Sequence, residues 1–311
     1  MSSRITLINT NLSVYPLCLG GNVFGWSANE EESFAVLDAY FEAGGNFIDT
    51  ADVYSEWKEG NQGGESETII GKWMKSRGNR HELVIATKVS MLSTRKGLSS
   101  ANIKAALDDS LHRLQSDHVD LYYSHADDAE VPLEETLQAY TEVIASGKVH
   151  VVGASNYSGA RLREAAAISK ANSFTTYVGV QNRYNIMDRE PFESDVATAV
   201  KELGMTSIPY YGLARGFLTG KYRPGISVES MRAGGVEEFK TDRGWAVLNK
   251  LENIAEDLNT TIAAVALAWL RGHGSLPIAS ARTVEQAREI LPIVTLSADQ
   301  LSELDQISLP A

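Results

Sequence analysis

The chain has one cysteine, Cys18, in 311 residues. A single cysteine cannot close an internal disulfide, so no covalent staple is expected and a reducing compartment fits. Cys18 lies in the apolar run PLCLGG and reads as a small buried hydrophobe rather than a redox group. Long hydrophobic runs are also missing. The longest, IAAVALAWL at 262–270, is far too short to span a bilayer and reads as a core helix. The N-terminal MSSRITLINTNLSVYP has no apolar segment of the secretory-signal kind. Cations are outnumbered: 28 Lys and Arg against 40 Asp and Glu give a net charge of −12. That balance excludes nucleic acid and anionic membranes as partners, and a cytoplasmic protein is expected. The histidines at 81, 112, 118, 150 and 273 are scattered, with no pair at ligand spacing, and His112 and His118 read as surface residues. No metal is expected. No G-x-G-x-x-G follows an early strand, so a Rossmann dinucleotide site is not indicated.

What the chain does have is alternation. The runs LCLGG, NFID, LVIAT, VDLYYS, VHVVGA, YVGVQ, TSIPY and LPIA read as eight buried parallel strands. Amphipathic stretches separate them. Ile103, Leu107, Leu111 and Leu114 fall at helical spacing, as do Val247, Leu251, Ile254 and Leu258. Eight such units favour a closed (β/α)8 TIM barrel over an open sheet, as one domain covering 1–311. RITLI and LSVYP, around Asn9-Thr10-Asn11, predict a β-hairpin before the first barrel strand, and SADQLSELDQIS predicts a short C-terminal helix. Two polar, glycine-rich segments, 55–65 and 221–243, follow strands and are expected over the barrel mouth, where long loops are functional or mobile.

Polar groups close three of the apolar runs. NFID ends at Asp49, LVIATK at Lys88 and VDLYYSH at His125, while Tyr54 follows Asp49 in the next turn. The spacing is about one strand-plus-helix unit each time, which gathers the groups on one barrel face. With FIDTADVY, ATK, YYSH, GASNY, VQNRYN and LARGFLTGKY in this order, the chain resembles the aldo-keto reductase family from Leu17 to about Ile290, in its bacterial-type form. The resemblance implies the barrel, a hairpin plugging its bottom and a nicotinamide cofactor held in extended form.

Carbonyl reduction leaves a developing alkoxide that needs a proton. A free tyrosine, with a pKa of roughly 10, is a poor donor at neutral pH, and a nearby ammonium lowers that value. The expected roles, also the family's, are Tyr54 as acid, Lys88 lowering its pKa, Asp49 holding Lys88, and His125 orienting the carbonyl. Asp128, in HADD, is expected to serve its turn. Phe24, Trp26 and Trp57, beside Tyr54 and His125, are expected as aromatic walls for a small carbonyl or alcohol substrate. With only a short tail after the last barrel helix, the site is expected to be open.

For the cofactor, the resemblance assigns Gly21, Asn22 and Asp49 near the first strands, and Ser155, Asn156 and Gln181 to the carboxamide. Tyr210 matches the stacking aromatic. The usual Tyr-Ser-Pro-Leu-Ala reads Tyr210-Tyr211-Gly212-Leu213-Ala214 here, exchanging a hydroxyl donor for a bulky phenol and losing a rigid proline. Tyr211, Gly212, Leu213, Arg215, Gly216 and Lys221 are the expected pyrophosphate neighbours. Ser280 and Arg282 match positions near a 2′-phosphate, and Gln286 and Glu289 match adenosine contacts, with Ile290 in place of a frequent asparagine. Arg282 suits a phosphate, so NADPH is expected over NADH. The reading is an NADPH-dependent, reversible carbonyl reductase, a monomer or weak homo-oligomer. The alternatives are a cofactor-binding regulatory subunit with little turnover, and a lyase using Lys88 as a Schiff-base amine.

Overall fold

The computed structural model describes residues 4–226 and 233–309. A two-stranded antiparallel hairpin, β1 (Ile5–Thr6) and β2 (Ser13–Val14), opens the chain. Eight parallel strands follow: β3 (Cys18–Gly20), β4 (Phe47–Asp49), β5 (Val84–Val89), β6 (Val119–Ser124), β7 (Val149–Ser155), β8 (Tyr177–Gln181), β9 (Thr206–Ser207) and β10 (Ile278–Ala279). Their order is β10-β3-β4-β5-β6-β7-β8-β9. The ring closes between β9 and β10 through Leu276 N–H to Ser207 O at 2.8 Å and Ile278 N–H to Pro209 O at 3.0 Å. All eight predicted strands are present, and the architecture is a (β/α)8 barrel.

Strand alternation divides the core in two. One set of side chains, including Cys18, Phe47, Val84, Ala86, Leu121, Tyr123 and Ile208, fills the barrel interior. Leu7 and Val14 of the hairpin segment join that cluster, so the hairpin plugs the barrel as expected. The other, larger set packs strands against helices. The helix Ser100–Leu114 is capped by Ser99 and buries Ile103, Leu107, Leu111 and Leu114. The helix Asp242–Asp257 buries Val247, Leu251 and Ile254, with Leu258 as its terminal cap. IAAVALAWL lies in the helix Ile262–Gly272 and is buried from Ala263 to Leu270. The short C-terminal helix spans Ala298–Ile307. Cys18 is fully buried, and burial raises its thiol well above the ordinary range.

Of the two long segments, 55–65 is described throughout, with its last residue, Glu65, opening the next helix, and carries Trp57 to the mouth. Part of 221–243 lies outside the described residues; its Ala233–Phe239 stretch is a 3-10 helix tied to the mouth by Arg215 Nη1 donating to Gly235 O at 3.1 Å. Among the described residues no helix is long and apolar enough to cross a membrane.

Candidate active site

The C-terminal ends of the strands carry the polar groups. Asp49 is the last residue of β4, Lys88 is the penultimate residue of β5, and His125 follows β6 directly. Tyr54 returns over β4 because the chain turns tightly after it: Tyr54 N–H bonds Ala51 O, and Ser55 adopts φ 75° with its hydroxyl on Phe24 O at 2.7 Å. The four side chains converge. Lys88 Nζ donates to Asp49 Oδ2 at 2.6 Å, to Thr50 O at 2.7 Å and to Tyr54 Oη at 2.8 Å. Tyr54 Oη lies 3.1 Å from Asp49 Oδ2. The rings of Tyr54 and His125 meet edge to face at 5.8 Å.

Burial sets the protonation states. Lys88 is fully buried, and desolvation lowers its pKa against the opposing pull of Asp49. Burial, then the charge of Lys88, holds His125 well below the ordinary histidine range, so its imidazole is neutral. Tyr54 departs from expectation. Burial, followed by the Asp49 carboxylate, raises the phenol well above the ordinary tyrosine value. The net direction is upward, so burial and the Asp49 carboxylate outweigh the pull of the Lys88 ammonium on the phenol. The phenol carries its proton, and the ammonium beside it faces the oxygen that would take charge on donation.

These groups sit at one end of a cavity of about 730 Å³ that also takes in the ends of β3, β7, β8 and β10 and the segment after β9. Asn22, Trp26, Asp49, Tyr54, Trp57, His125, Ser155, Asn156, Gln181, Tyr210, Tyr211, Gly212, Leu213, Arg215, Gly216, Lys221, Ser280, Arg282, Gln286 and Glu289 all line it. Three expected site residues do not. Lys88 lies behind the lining residues Tyr54 and Asp49, which its ammonium touches. Gly21 faces Ser66 and Ile70: its N–H bonds Asp49 O at 2.7 Å, and a Cβ there would meet Ser66 Oγ at 2.8 Å. Phe24 is fully buried in the helix-facing core, so it is not a substrate wall. The first loop turns between Phe24 and Trp26, and only Trp26 is carried outward.

Sequence reasoning passed over Gly20, Val23, Ser27, Val53, Met91, Thr219, Gly220, Ile278 and Ala279, which also line the cavity. Val23, Ser27 and Val53 adjoin assigned aromatics, and Met91 stands just past β5, so proximity to strand ends was the available signal. Gly20 is needed for closeness: a Cβ there would stand 2.5 Å from Ser280 Oγ, which donates to Asn22 Oδ1 at 2.6 Å.

Polarity is graded along the cavity. Beside Tyr54 are neutral groups: Gln181 Nε2 donates to Asp49 Oδ1 at 2.8 Å, Ser155 Oγ to Gln181 O at 2.7 Å, and Tyr210 Oη to Asn156 Oδ1 at 2.8 Å. Farther along stand the cations Arg215, Lys221 and Arg282. Tyr211, at φ 59°, lies 5.1 Å from Arg215 and 6.0 Å from Arg183 in cation–π contact, so the phenol that replaces the usual serine is seated between guanidiniums. Gly212 lies against Leu270, Leu267 and Ile278 O, where a Cβ would come within 3.1–3.2 Å. Gln286 Oε1 accepts from Arg282 N–H at 3.0 Å. Neutral amides beside a phenol, followed by cations, form a donor set that fits a nicotinamide joined to a pyrophosphate. Asp128 serves its turn, accepting from Leu98 N–H at 2.8 Å and Glu130 N–H at 3.0 Å.

The sequence matches the profile of the Aldo/keto reductase family over residues 16–309. The chain belongs to the aldo/keto reductase family. It is 34% identical over 304 residues to the uncharacterized oxidoreductase YrpG of Bacillus subtilis (strain 168), covering 94% of this chain and 90% of that protein. It is 33% identical to norsolorinic acid reductase stcV of Emericella nidulans, covering 94% of this chain and 78% of that one. It is 28% identical to aryl-alcohol dehydrogenase GME11368 of Pestalotiopsis microspora, covering 97% and 81%. Family membership and these relatives make the chain an oxidoreductase of the carbonyl-reducing kind, in a family that works with nicotinamide cofactors.

Proposed function

We propose that this aldo/keto reductase family member reduces aldehydes and ketones to alcohols with NADPH, and runs in reverse when alcohol and oxidised cofactor dominate. The observation that carries the reading is the linked Lys88, Asp49 and Tyr54 at 2.6–3.1 Å beside His125 on a cavity wall. When bound, the nicotinamide supplies the hydride. The Tyr54 phenol holds the proton that the developing alkoxide takes. Lys88 donates to the phenol oxygen, so the phenolate left behind meets an ammonium already in place. Asp49 fixes Lys88 through Oδ2, the oxygen that also accepts from Tyr54. His125 is neutral and offers the carbonyl oxygen a hydrogen bond without competing for its proton.

Trp26 and Trp57 meet edge to face at 5.7 Å, and Tyr54 and Trp57 at 6.1 Å. Such walls favour flat aromatic carbonyls, in keeping with relatives named for norsolorinic acid and aryl alcohols. Arg282 on the cavity wall supports NADPH over NADH. Gly216, Lys221, Ser280, Gln286 and Glu289 complete the cofactor's cradle in this reading. The working form is a cytoplasmic monomer or weak homo-oligomer.

A lyase using Lys88 as a Schiff-base amine is disfavoured. Its three N–H groups are engaged by Asp49, Thr50 and Tyr54, and it is fully buried. Borohydride with a carbonyl substrate should leave no adduct on Lys88. The principal test is quenching of tryptophan fluorescence by NADPH and NADH in parallel, then a panel of aryl aldehydes and ketones read at 340 nm. Preferential NADPH binding with turnover supports the proposal. NADPH binding without turnover of any carbonyl would favour the regulatory reading.

A further inference from the structure

The end of the barrel opposite the cavity holds a cluster that the hydride chemistry does not use. Val119 pairs with Val149 and Leu121 with Val151, which sets Asp120 of β6 level with His150 of β7. Leu121 and Val151 face the barrel interior, so Asp120 and His150 project outward together. His118, just before β6, joins them. The imidazoles of His118 and His150 lie 4.7 Å apart, and one potential ligand atom from each of His118, Asp120 and His150 lies within 4.8 Å of the others.

We propose that His118, Asp120 and His150 form a binding site for a late first-row divalent cation, Zn²⁺ in the first instance. Two imidazoles and one carboxylate are ligands that such ions accept, with a further position left to water. The surroundings are those of oriented ligands. Asp120 Oδ2 is occupied by Arg80 Nη2 at 2.9 Å and Ile85 N–H at 2.8 Å, while among the described residues Oδ1 has only the His150 contact at 3.2 Å. His118 Nδ1 lies 2.6 Å from Asp117 Oδ1, which fixes the ring and frees its other nitrogen. A carboxylate behind a ligating imidazole is the usual outer support of a metal site. Arg80 opposes a second cation, but Asp117 and Asp120 outweigh it, leaving the site one negative charge. Asp120 is held almost fully buried, whereas His118 and His150 side chains are 27% and 49% exposed, so the ion has access. Tetrahedral Zn²⁺ places ligand atoms about 3.4 Å apart. His150 Nδ1 and Asp120 Oδ1, 3.2 Å apart, already stand near that spacing.

A bound ion would pin the turn before β6 to the start of β7, a stabilising role at the end of the barrel where stability resides. The test uses the untagged protein, freed of metal with EDTA, then titrated with ZnCl2 by calorimetry and followed by thermal unfolding. One Zn²⁺ per chain and a rise in Tm of about 4 °C at a hundredfold excess over Kd are expected. His118→Ala and His150→Ala, judged against their own metal-free Tm, should each weaken binding tenfold or more. His81→Ala, outside the triad, should bind as the unaltered protein does. No saturable binding, or equal binding by the His118 and His150 variants, overturns the proposal.

Discussion

Replacing Lys88 by Met should destabilise this protein strongly, and replacing its partner at the same time should undo much of the damage. Lys88 and Asp49 have side-chain exposures of 0% and 2%, so water cannot take over for a lost partner. Lys88→Met removes the donor 2.6 Å from Asp49 Oδ2 and leaves that carboxylate with Gln181 Nε2 at 2.8 Å and Tyr54 Oη at 3.1 Å. Stranding one charge of a buried pair costs about 3–5 kcal/mol. For a chain of 311 residues the entropy of unfolding converts this to a fall in Tm of about 5–8 °C. The double variant Asp49→Asn, Lys88→Met has no stranded charge and should recover at least half of the loss. Thermal unfolding of the two single variants, the double variant and the unaltered protein gives the full cycle. A Lys88→Met protein that melts with the unaltered protein, or a double variant whose loss equals the sum of the singles, refutes the claim that this contact is an electrostatically coupled pair.

Tyr54→Phe should lower kcat about 10²–10⁴-fold while NADPH still quenches tryptophan fluorescence, because the proton donor is lost and the cavity is not; unchanged turnover would sink the assignment. Arg282→Ala should weaken NADPH far more than NADH, and equal losses in a parallel titration would remove Arg282 from the phosphate. Asp52 is fully buried, with no hydrogen-bond partner for either carboxylate oxygen among the described residues. Burial, then Glu67, pushes its pKa up to about 7. An unfolded carboxyl titrates near 4, so the folded state holds the extra proton between about pH 4 and 7; stability falls as pH rises through that window, by up to about 4 kcal/mol. The Tm advantage of Asp52→Asn should therefore be larger at pH 8 than at pH 4.5, and an equal advantage at both would contradict the shift.

Periodicity made the barrel legible because buried parallel strands are continuous apolar runs and each was followed by a helical pattern. The polar residues Asp49, Lys88 and His125 were legible because they end such runs, and a strand exit has only one place to put a side chain. Phe24 and Gly21 were misjudged because the first loop turns within three residues, and nothing in its composition says which of Phe24 and Trp26 looks outward. The Tyr54 shift was misjudged for a different reason: a charge contact can be read from spacing, but the depth of burial that opposes it cannot. The histidines at 118 and 150 appeared unrelated along the chain because only the register of β6 against β7 makes them neighbours. Asp52 is silent in sequence for the same reason, since Glu67 reaches it from a helix rather than from its own loop.

The barrel's closing joint is narrow. β6 and β7 share five residue pairs, whereas β9 and β10 meet through the two backbone bonds at Ser207 and Pro209, as few as the two pairs that join β10 to β3, β3 to β4 and β8 to β9. The cavity lies across that joint, with Tyr210 to Gly212 on one bank and Ser280 and Arg282 on the other. A ligand touching both banks acts as a clasp, and its binding energy is then also the energy that keeps the ring shut.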